Sequence, residues 1–450
     1  MRPSLIAACL TSLWLRKFDG LWYFMREAAP MNASFPQTRI DFFAWKEQMR
    51  AREEREDFSC SPNLIDNVPA SSDAVDVLVR LYMKMFESTH RIIHIPSFWK
   101  EYREFWRERE HAAPEFVAQL LLIMACGTMF QGEVDFSSPH SDAPARRLTV
   151  VRWVHAVEKW LLHWQTSNIN LIRIHCLLIL AKRVNFIDHH TVWVSVGVLV
   201  RCAMSMGLHR DPDQLRNVTP FHAETRRRLW ATVLELDLQA AMERGMPVSV
   251  GEDDHDCRPP LNINDWDIME SAEVLPLEKQ FAFTETSFQA ALACSRPVRV
   301  EVARLVNSIN YDPPYEDVIR LDRELTQALH DVPLKLRLGV AAKARLEESE
   351  LSVAKQMLEL YLRRSLLLLH IPFAIQADKD PRYSYSRHVC LDNAGTILAH
   401  YKDFADTQDL RALCFKDEHA QAAMFICLEL FLDKPIAGRF CACPARGSVR

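Results

Sequence analysis

The feature that most constrains this chain is a scarcity: it has 11 glycines in 450 positions. Tight turns, bulges and phosphate-cradling loops draw on backbone with positive φ, which glycine adopts at no steric cost. Helices need that conformation only where they end. So poor a supply of glycine points to an all-α fold, a large multi-helix domain, and away from nucleotide-binding enzymes. Hydrophobic residues make up 49% of the chain, enough to fill a large core.

Hydrophobic spacing divides the chain. Residues 59–73 are rich in turn formers. A cap at Ser72 or Asp73 then leads into Val75, Leu78, Val79, Tyr82, Met85 and Phe86, which recur at helical spacing. Pro96 is expected to stop or kink that run. Further helices are predicted at about 101–109, 114–130, 145–165, 169–186 and 189–206, the last closed by Gly207. Thr219 and Pro220 form a standard opening for a helix that reaches Arg244 and stops at Gly245. Residues 248–268 read as an acidic, proline-bearing connection. Helical spacing resumes over about 275–307, 315–330, 345–370, 387–404 and 417–432, with a loop from Pro381 to Tyr385. This order predicts an N-terminal segment and linker over 1–73, one helical domain over 74–433 and a tail over 434–450.

Charge and cysteines narrow the function. The formal net charge is −5, and the longest basic run is Arg226, Arg227, Arg228. A free-standing nucleic-acid binder usually carries a basic face, so direct DNA binding by these residues is not expected. The 12 cysteines lie mostly in apolar helical runs and none forms C-x-x-C, which suits buried thiols in a reducing compartment. The apolar run from Leu5 to Leu15 is followed by Arg16 and Lys17 without a clear cleavage site, and reads as a short amphipathic helix. No uncharged apolar run reaches about 18 residues, so no membrane span or membrane partner is predicted.

The motifs of common enzymes are missing: no G-x-G-x-x-G, P-loop, G-x-S-x-G or H-E-x-x-H occurs. His90 and His94 stand at i, i+4, the spacing of a metal-binding pair, but only Glu87 is near and Pro96 crowds them. His94 is expected to pack or to cap a helix. The acidic stretch from Glu252 to Asp256 raises the thought of an all-helical magnesium enzyme such as a terpene synthase. The second ligand motif of that class fails here, since Asn264 and Asp265 are followed by Ile268 and Ala272 at the ligand positions. The plain reading is a solvated loop, with no catalytic residues and no metal site.

One block is more specific. Gly207, Leu208, His209, Arg210 and Asp211 are followed by Arg226, Arg227, Arg228, Leu229 and Trp230, then Asp237, then a turn at Gly245 to Pro247, then a loop from Asp256 to Pro260. This block closely resembles the signature of the fungal-specific transcription factor domain, the middle homology region of regulators carrying a zinc binuclear cluster. The stretch around His94, Pro96 and Phe98 is similar to the opening of that domain, and those around residues 360–375 and 385–398 to its later helices. Two positions depart: Met246 stands for the arginine of the turn, and Ala231 for a second tryptophan.

The signature also has a physical reading. Glu224 and Arg228 are an i, i+4 pair in the favourable order. Leu229, Val233, Leu236 and Ala240 share one helical face, and Trp230, Leu234, Asp237 and Ala241 a neighbouring stripe. An aspartate in such a stripe needs a partner, for which Arg210 and Arg244 are the candidates. The signature residues are thus expected to be structural, fixing helix and loop.

The resemblance implies a nuclear regulator of RNA polymerase II genes, controlling a metabolic or secondary-metabolite gene set, without catalysis. Its partners would be other transcription regulators or DNA-bound factors, with a small-molecule effector and a homodimer left open. A zinc cluster needs six cysteines opening C-x-x-C, and only Cys9 and Cys60 precede residue 100. No cofactor is therefore expected in these residues, and zinc only if a cluster lies upstream. DNA contact would then be indirect or through that missing domain. Two alternatives stay open, a truncated zinc-cluster DNA-binding activator and an all-helical magnesium-dependent enzyme.

Overall fold

In the computed structural model, residues 63–131, 143–163, 167–272, 274, 282–310, 312–336, 345–407 and 409–432 are described. The expected Leu5–Leu15 helix and the 434–450 tail fall outside them. The described residues form an all-α fold with no strand among them. The helices are α1 (Ser72–Tyr82), α2 (Ile95–Arg107), α3 (Pro114–Thr128), α4 (Ala143–Leu161), α5 (Ile169–Val184), α6 (Val192–Ser205) and α7 (Pro220–Arg244). After a long connection come α8 (Ser287–Cys294), α9 (Arg296–Val306), α10 (Tyr315–Lys335), α11 (Arg345–Ala374), α12 (Ser384–Asp406) and α13 (Lys416–Leu432).

Local signals place most of these ends. The Thr219 hydroxyl accepts from the His222 N–H at 3.3 Å, Pro220 fills the first turn, and Gly245 ends α7 at φ 63°. Gly207 follows α6 at φ 72°, as its spacing predicts. Asn168 caps α5 by accepting from the Leu171 N–H at 2.9 Å.

The apolar faces form two buried clusters. The first gathers α1 to α6 and the inner face of α7 around Leu120, Val154, Leu177, Leu199 and Val233. The second gathers α8 to α13 around Val302, Leu321, Leu367, Ile397 and Phe425. Helix α7 belongs to both, because Leu236 and Ala240 join the first cluster while Leu238 and Ala241 join the second. This explains why it is buried on so many sides.

The structure moves several predicted boundaries. Pro96 does not end the first helical run. That run passes through a π turn (Met83–Glu87) and a short turn (Ser88–His90), and stops where Arg91 adopts a left-handed φ of 46°. Pro96 instead sits in the first turn of α2, where its missing N–H has no helical partner to lose, so α2 begins at Ile95 and not near Glu101. The 59–73 linker contains a 3₁₀ turn (Leu64–Asn67) with Leu64 and Val68 buried. The segment expected to be helical from 275 to 307 holds two helices, the first starting at Ser287, while 275–281 lie outside the described residues. Helix α11 runs on through Pro372 to Ala374. The loop expected at Pro381–Tyr385 is a 3₁₀ turn (Pro381–Tyr383) leading directly into α12.

Candidate functional site

The signature residues converge on the connection between α7 and α8. Leu208 and Leu229 are fully buried, and the Trp230 indole packs between the His209 and His255 rings, at centroid distances of 6.3 and 5.9 Å. The basic triplet at the start of α7 faces inward. Arg226 donates to the Met206 carbonyl at 2.8 Å, satisfying a helix end. Arg227 donates to Asp211 Oδ1 at 2.9 Å and to Asp213 Oδ1 at 2.7 Å. Arg228 donates to Glu224 Oε1 at 3.0 Å, to Asp265 Oδ1 at 2.6 Å and to the Ile263 carbonyl at 3.3 Å. With Arg227 and Arg228 buried and committed to carboxylates, their charge is spent inside the protein.

Asp211 is the first hub. Its carboxylate caps the short turn after it by accepting from the Asp213 N–H at 3.0 Å. It also accepts from the Arg258 N–H and Nε, each at 3.0 Å. Burial opposes its charge, but Arg258 and Arg227 outweigh burial and hold its carboxyl far below the usual range. The Asp211 N–H in turn donates to Asp256 Oδ1 at 2.7 Å, and Arg210 Nε donates to Asp256 Oδ2 at 2.9 Å. Arg210 is thus the partner of Asp256.

Asp237 therefore takes no arginine, contrary to the sequence expectation. Its Oδ2 accepts from the Ser249 N–H at 2.8 Å and the Val250 N–H at 3.2 Å. Backbone donors on an extended segment reach a deep position that long arginine side chains, engaged elsewhere, do not. Burial raises its carboxyl above the usual range, and the two backbone donors offset this only in part. The Gly245–Pro247 turn, with Pro247 exposed, brings Ser249 and Val250 back along α7. Pro260 is buried and Leu261 donates its N–H to Glu224 Oε1 at 3.2 Å.

Asp265 is the second hub, passed over in the sequence except as half of a failed magnesium motif. Its side chain is 0% exposed and accepts from Arg91, from Arg228 and from the Ile95 N–H at 2.8 Å. Its carbonyl accepts from His94 Nε2 at 2.9 Å, while His94 also caps α2 as expected. Burial opposes the Asp265 charge, yet Arg91 and Arg228 outweigh it and keep the carboxyl below its ordinary value. The acids Glu252, Asp253, Asp254 and Asp256 are exposed, as a solvated loop requires, but the connection that carries them is fastened at its buried positions. Asp237, Asp211, Glu224 and Arg228 fasten it along α7, and Arg296 pairs with Glu252 and donates to the Val250 carbonyl at 2.9 Å. Among the described residues, one group of metal-type ligands is found, His155, Glu158 and Asp188, and its two carboxylates already pair with the Lys182 ammonium, Glu158 at 2.7 Å and Asp188 at 3.4 Å.

The fastened connection forms one wall of a cavity of about 220 Å³. The opposite walls come from α7 at Trp230 to Glu235, α8 and α9 at Phe288 to Pro297, and Tyr361 of α11. Three deeply buried wall residues leave a polar atom unpaired: Trp230 Nε1, at 1% exposure, and Gln289 Oε1 and Arg296 Nε, each at 4%. The Gln289 amide orientation is set by its own contacts, since its Nε2 faces the His90 and Arg228 carbonyls at 3.0 Å and the Thr232 hydroxyl at 2.9 Å. A buried polar atom left without a partner costs about 1–3 kcal/mol.

The described residues thus form an all-helical domain in which a charged signature holds one wall of a cavity. Residues 79–303 match the fungal specific transcription factor domain, half of the chain. The chain belongs to that family. Transcription factor opdR of Penicillium oxalicum is 37% identical over 76% of this chain and 43% of its own length. Zn(2)-C6 fungal-type transcription factor mpsB of Macrophomina phaseolina is 30% identical over 76% of this chain and 47% of its own. The aspyridones cluster regulator apdR of Emericella nidulans is 30% identical over 66% of this chain and 40% of its own. The chain thus spans less than half the length of these relatives. No solved structure matches it.

Proposed function

We propose that this chain is the regulatory part of a nuclear transcription regulator that controls a secondary-metabolite gene set, with no catalytic role. The observation that carries the reading is its similarity to named transcription factors, one of them a cluster regulator, across most of its length. The internal use of the basic triplet adds to it. Side chains already bound to Asp211, Asp213, Glu224 and Asp265 are poor phosphate ligands, so this helix acts through proteins or a ligand. Its partners are other regulators bound to DNA, a small-molecule effector, or a second copy of the chain. The regulatory region extends from 74 to 433, beyond the matched residues, because α10 to α13 complete the second core.

The residues in hand do not fit a zinc cluster. There is no C-x-x-C, and burial raises the Cys126, Cys176 and Cys390 thiols, which disfavours the thiolate that zinc requires. The second reading is that a zinc cluster elsewhere in a longer parent supplies DNA contact. It is favoured by the mpsB relative, named for such a cluster and covered over less than half its length.

The test is a fusion of the chain to an unrelated DNA-binding domain, placed upstream of a reporter in a fungal host. Reporter output should differ at least about threefold from the DNA-binding domain alone. Output indistinguishable from that control overturns the regulatory reading.

A further inference from the structure

The cavity behind the signature loop has features that a solvent pocket does not require. Its walls are aromatic at Trp230, Phe288 and Tyr361 and aliphatic at Leu234 and Leu292. Every charged wall group has an opposite charge bound to it. Arg296 holds Glu252, Arg258 holds Asp211 and Asp213, and Arg299 grips Glu235 through two bonds of 2.9 and 2.8 Å. Burial lowers the His90 imidazole to about 4 and also lowers His255, so neither adds charge near neutrality. Unmet in the wall are the Trp230 indole N–H, the Arg296 Nε–H, the Gln289 amide oxygen, His90 Nε2 and both ring nitrogens of His255, so the wall offers donors and acceptors together. Cys294, an exposed thiol, stands on the same wall.

We infer that this cavity is a binding site for a neutral, planar, aromatic small molecule carrying both a hydrogen-bond acceptor and a donor, as in an amide or lactam. The balanced charges exclude a charged ligand, because any net charge would enter without a counterion. The flat aromatic walls favour a ring system. A dry cavity of roughly 150 Å³ takes benzene, so about 220 Å³ accommodates a bicyclic ring. The acceptor of the ligand would meet Trp230 and its donor Gln289, relieving two groups that no protein atom serves. Ala231 is the small residue on the α7 wall that leaves the space open. Because the signature carboxylates hold the loop forming the facing wall, occupancy would be felt along the connection that joins the two cores. The inference deepens the regulatory reading by giving its effector a place and a chemistry. Its test reads binding alone, so it can fail while the reporter fusion succeeds.

The experiment uses the whole 450-residue chain and 2-quinolone, a bicyclic neutral lactam, as the probe. Titration calorimetry is expected to show saturable binding with a Kd below about 1 mM. Alkylation of Cys294 by N-ethylmaleimide, followed by peptide mass spectrometry, should slow at least about fivefold at saturation. N-methyl-2-quinolone, which lacks the donor, should bind about tenfold more weakly. Ala231→Trp, with unchanged helical circular dichroism, should lose both the heat and the protection. Should that variant fail to fold, Ala293→Leu narrows the cavity from the α8 side and is expected to do the same. No heat and no protection in the natural chain overturn the inference, as does equal protection in a folded filled-cavity variant.

Discussion

Arg228 Nη1 lies 2.6 Å from Asp265 Oδ1, with both side chains buried and the two residues 37 positions apart in the chain. Through that contact the basic triplet of α7 reaches the far end of the acidic connection. Arg91 grips the same carboxylate from the turn between α1 and α2, so one aspartate joins three segments. The left-handed backbone of Arg91, unfavourable for a side-chain-bearing residue, is over-determined by this grip and by its bond to the Glu87 carbonyl at 3.1 Å.

Removing one member of such a pair leaves a charge buried without compensation. Arg228→Ala is therefore expected to destabilise the protein by about 3–5 kcal/mol. Arg210→Ala, which breaks a half-exposed pair with Asp256, should cost about 1 kcal/mol or less. Urea unfolding followed by circular dichroism measures both. Equal losses for the two variants would refute the role given to the buried hub.

Glu87 supplies a pH dependence whose sign is fixed. Burial pushes its carboxyl up to about 7, offset only in part by Arg91 and the Tyr82 hydroxyl. In the unfolded chain it titrates near 4.5. Between those values the folded state keeps a proton that the unfolded chain has released. Its contribution is fully present below about pH 4.5 and is lost as pH rises through about 7. Glu87→Gln keeps the acceptor used by Tyr82, Ile92 and Ile93 but cannot ionise. On going from pH 4.5 to 7.5, the natural chain should lose on the order of 2–3 kcal/mol relative to the variant. A difference that stays constant across this range would contradict the assignment.

At Gly127, α3 passes close against the backbone of α1. A Cβ built there falls 2.2 Å from the Leu78 carbonyl oxygen, a backbone atom that cannot swing away. Gly127→Ala must push the two helices apart and is expected to cost about 1–3 kcal/mol. Thermal denaturation reads this directly, and a variant as stable as the natural chain would mean that the helices are not packed this closely.

Cysteine accessibility tests the packing at several points at once. Cys294 and Cys427 are exposed, whereas Cys126, Cys176 and Cys390 are buried with thiols raised by burial. Brief treatment of the native chain with iodoacetamide should label the first two at least about tenfold faster than the last three. Comparable labelling of Cys126 or Cys176 would place α3 and α5 outside a packed core.

The helices were largely legible because their signals are local. The Thr219–Pro220 opening of α7, the Gly207 and Gly245 stops, and the apolar spacing of α1 and α3 each lie within a few residues of what they determine. Pro96 shows the limit of such signals. A proline suits a first turn as well as a stop, and the choice was made one turn earlier by Arg91, whose left-handed backbone depends on a carboxylate 174 residues away.

The family signature was legible as a set of residues, including the Glu224–Arg228 pair, but its wiring was not. The sequence offered Arg210 and Arg244 to Asp237, while the structure gives that carboxylate two backbone N–H groups from Ser249 and Val250. It also hid Asp265, since nothing in an Asn-Asp dipeptide announces a hub. Periodicity, caps and composition alone determined that this chain is all-helical, where α7 begins and ends, and which of its faces are apolar. Only the tertiary structure decided which charges meet and where a cavity remains. Helical order arises from neighbours in sequence, whereas buried ion pairs and voids arise from how distant apolar faces pack, and that packing sets distances no local pattern encodes.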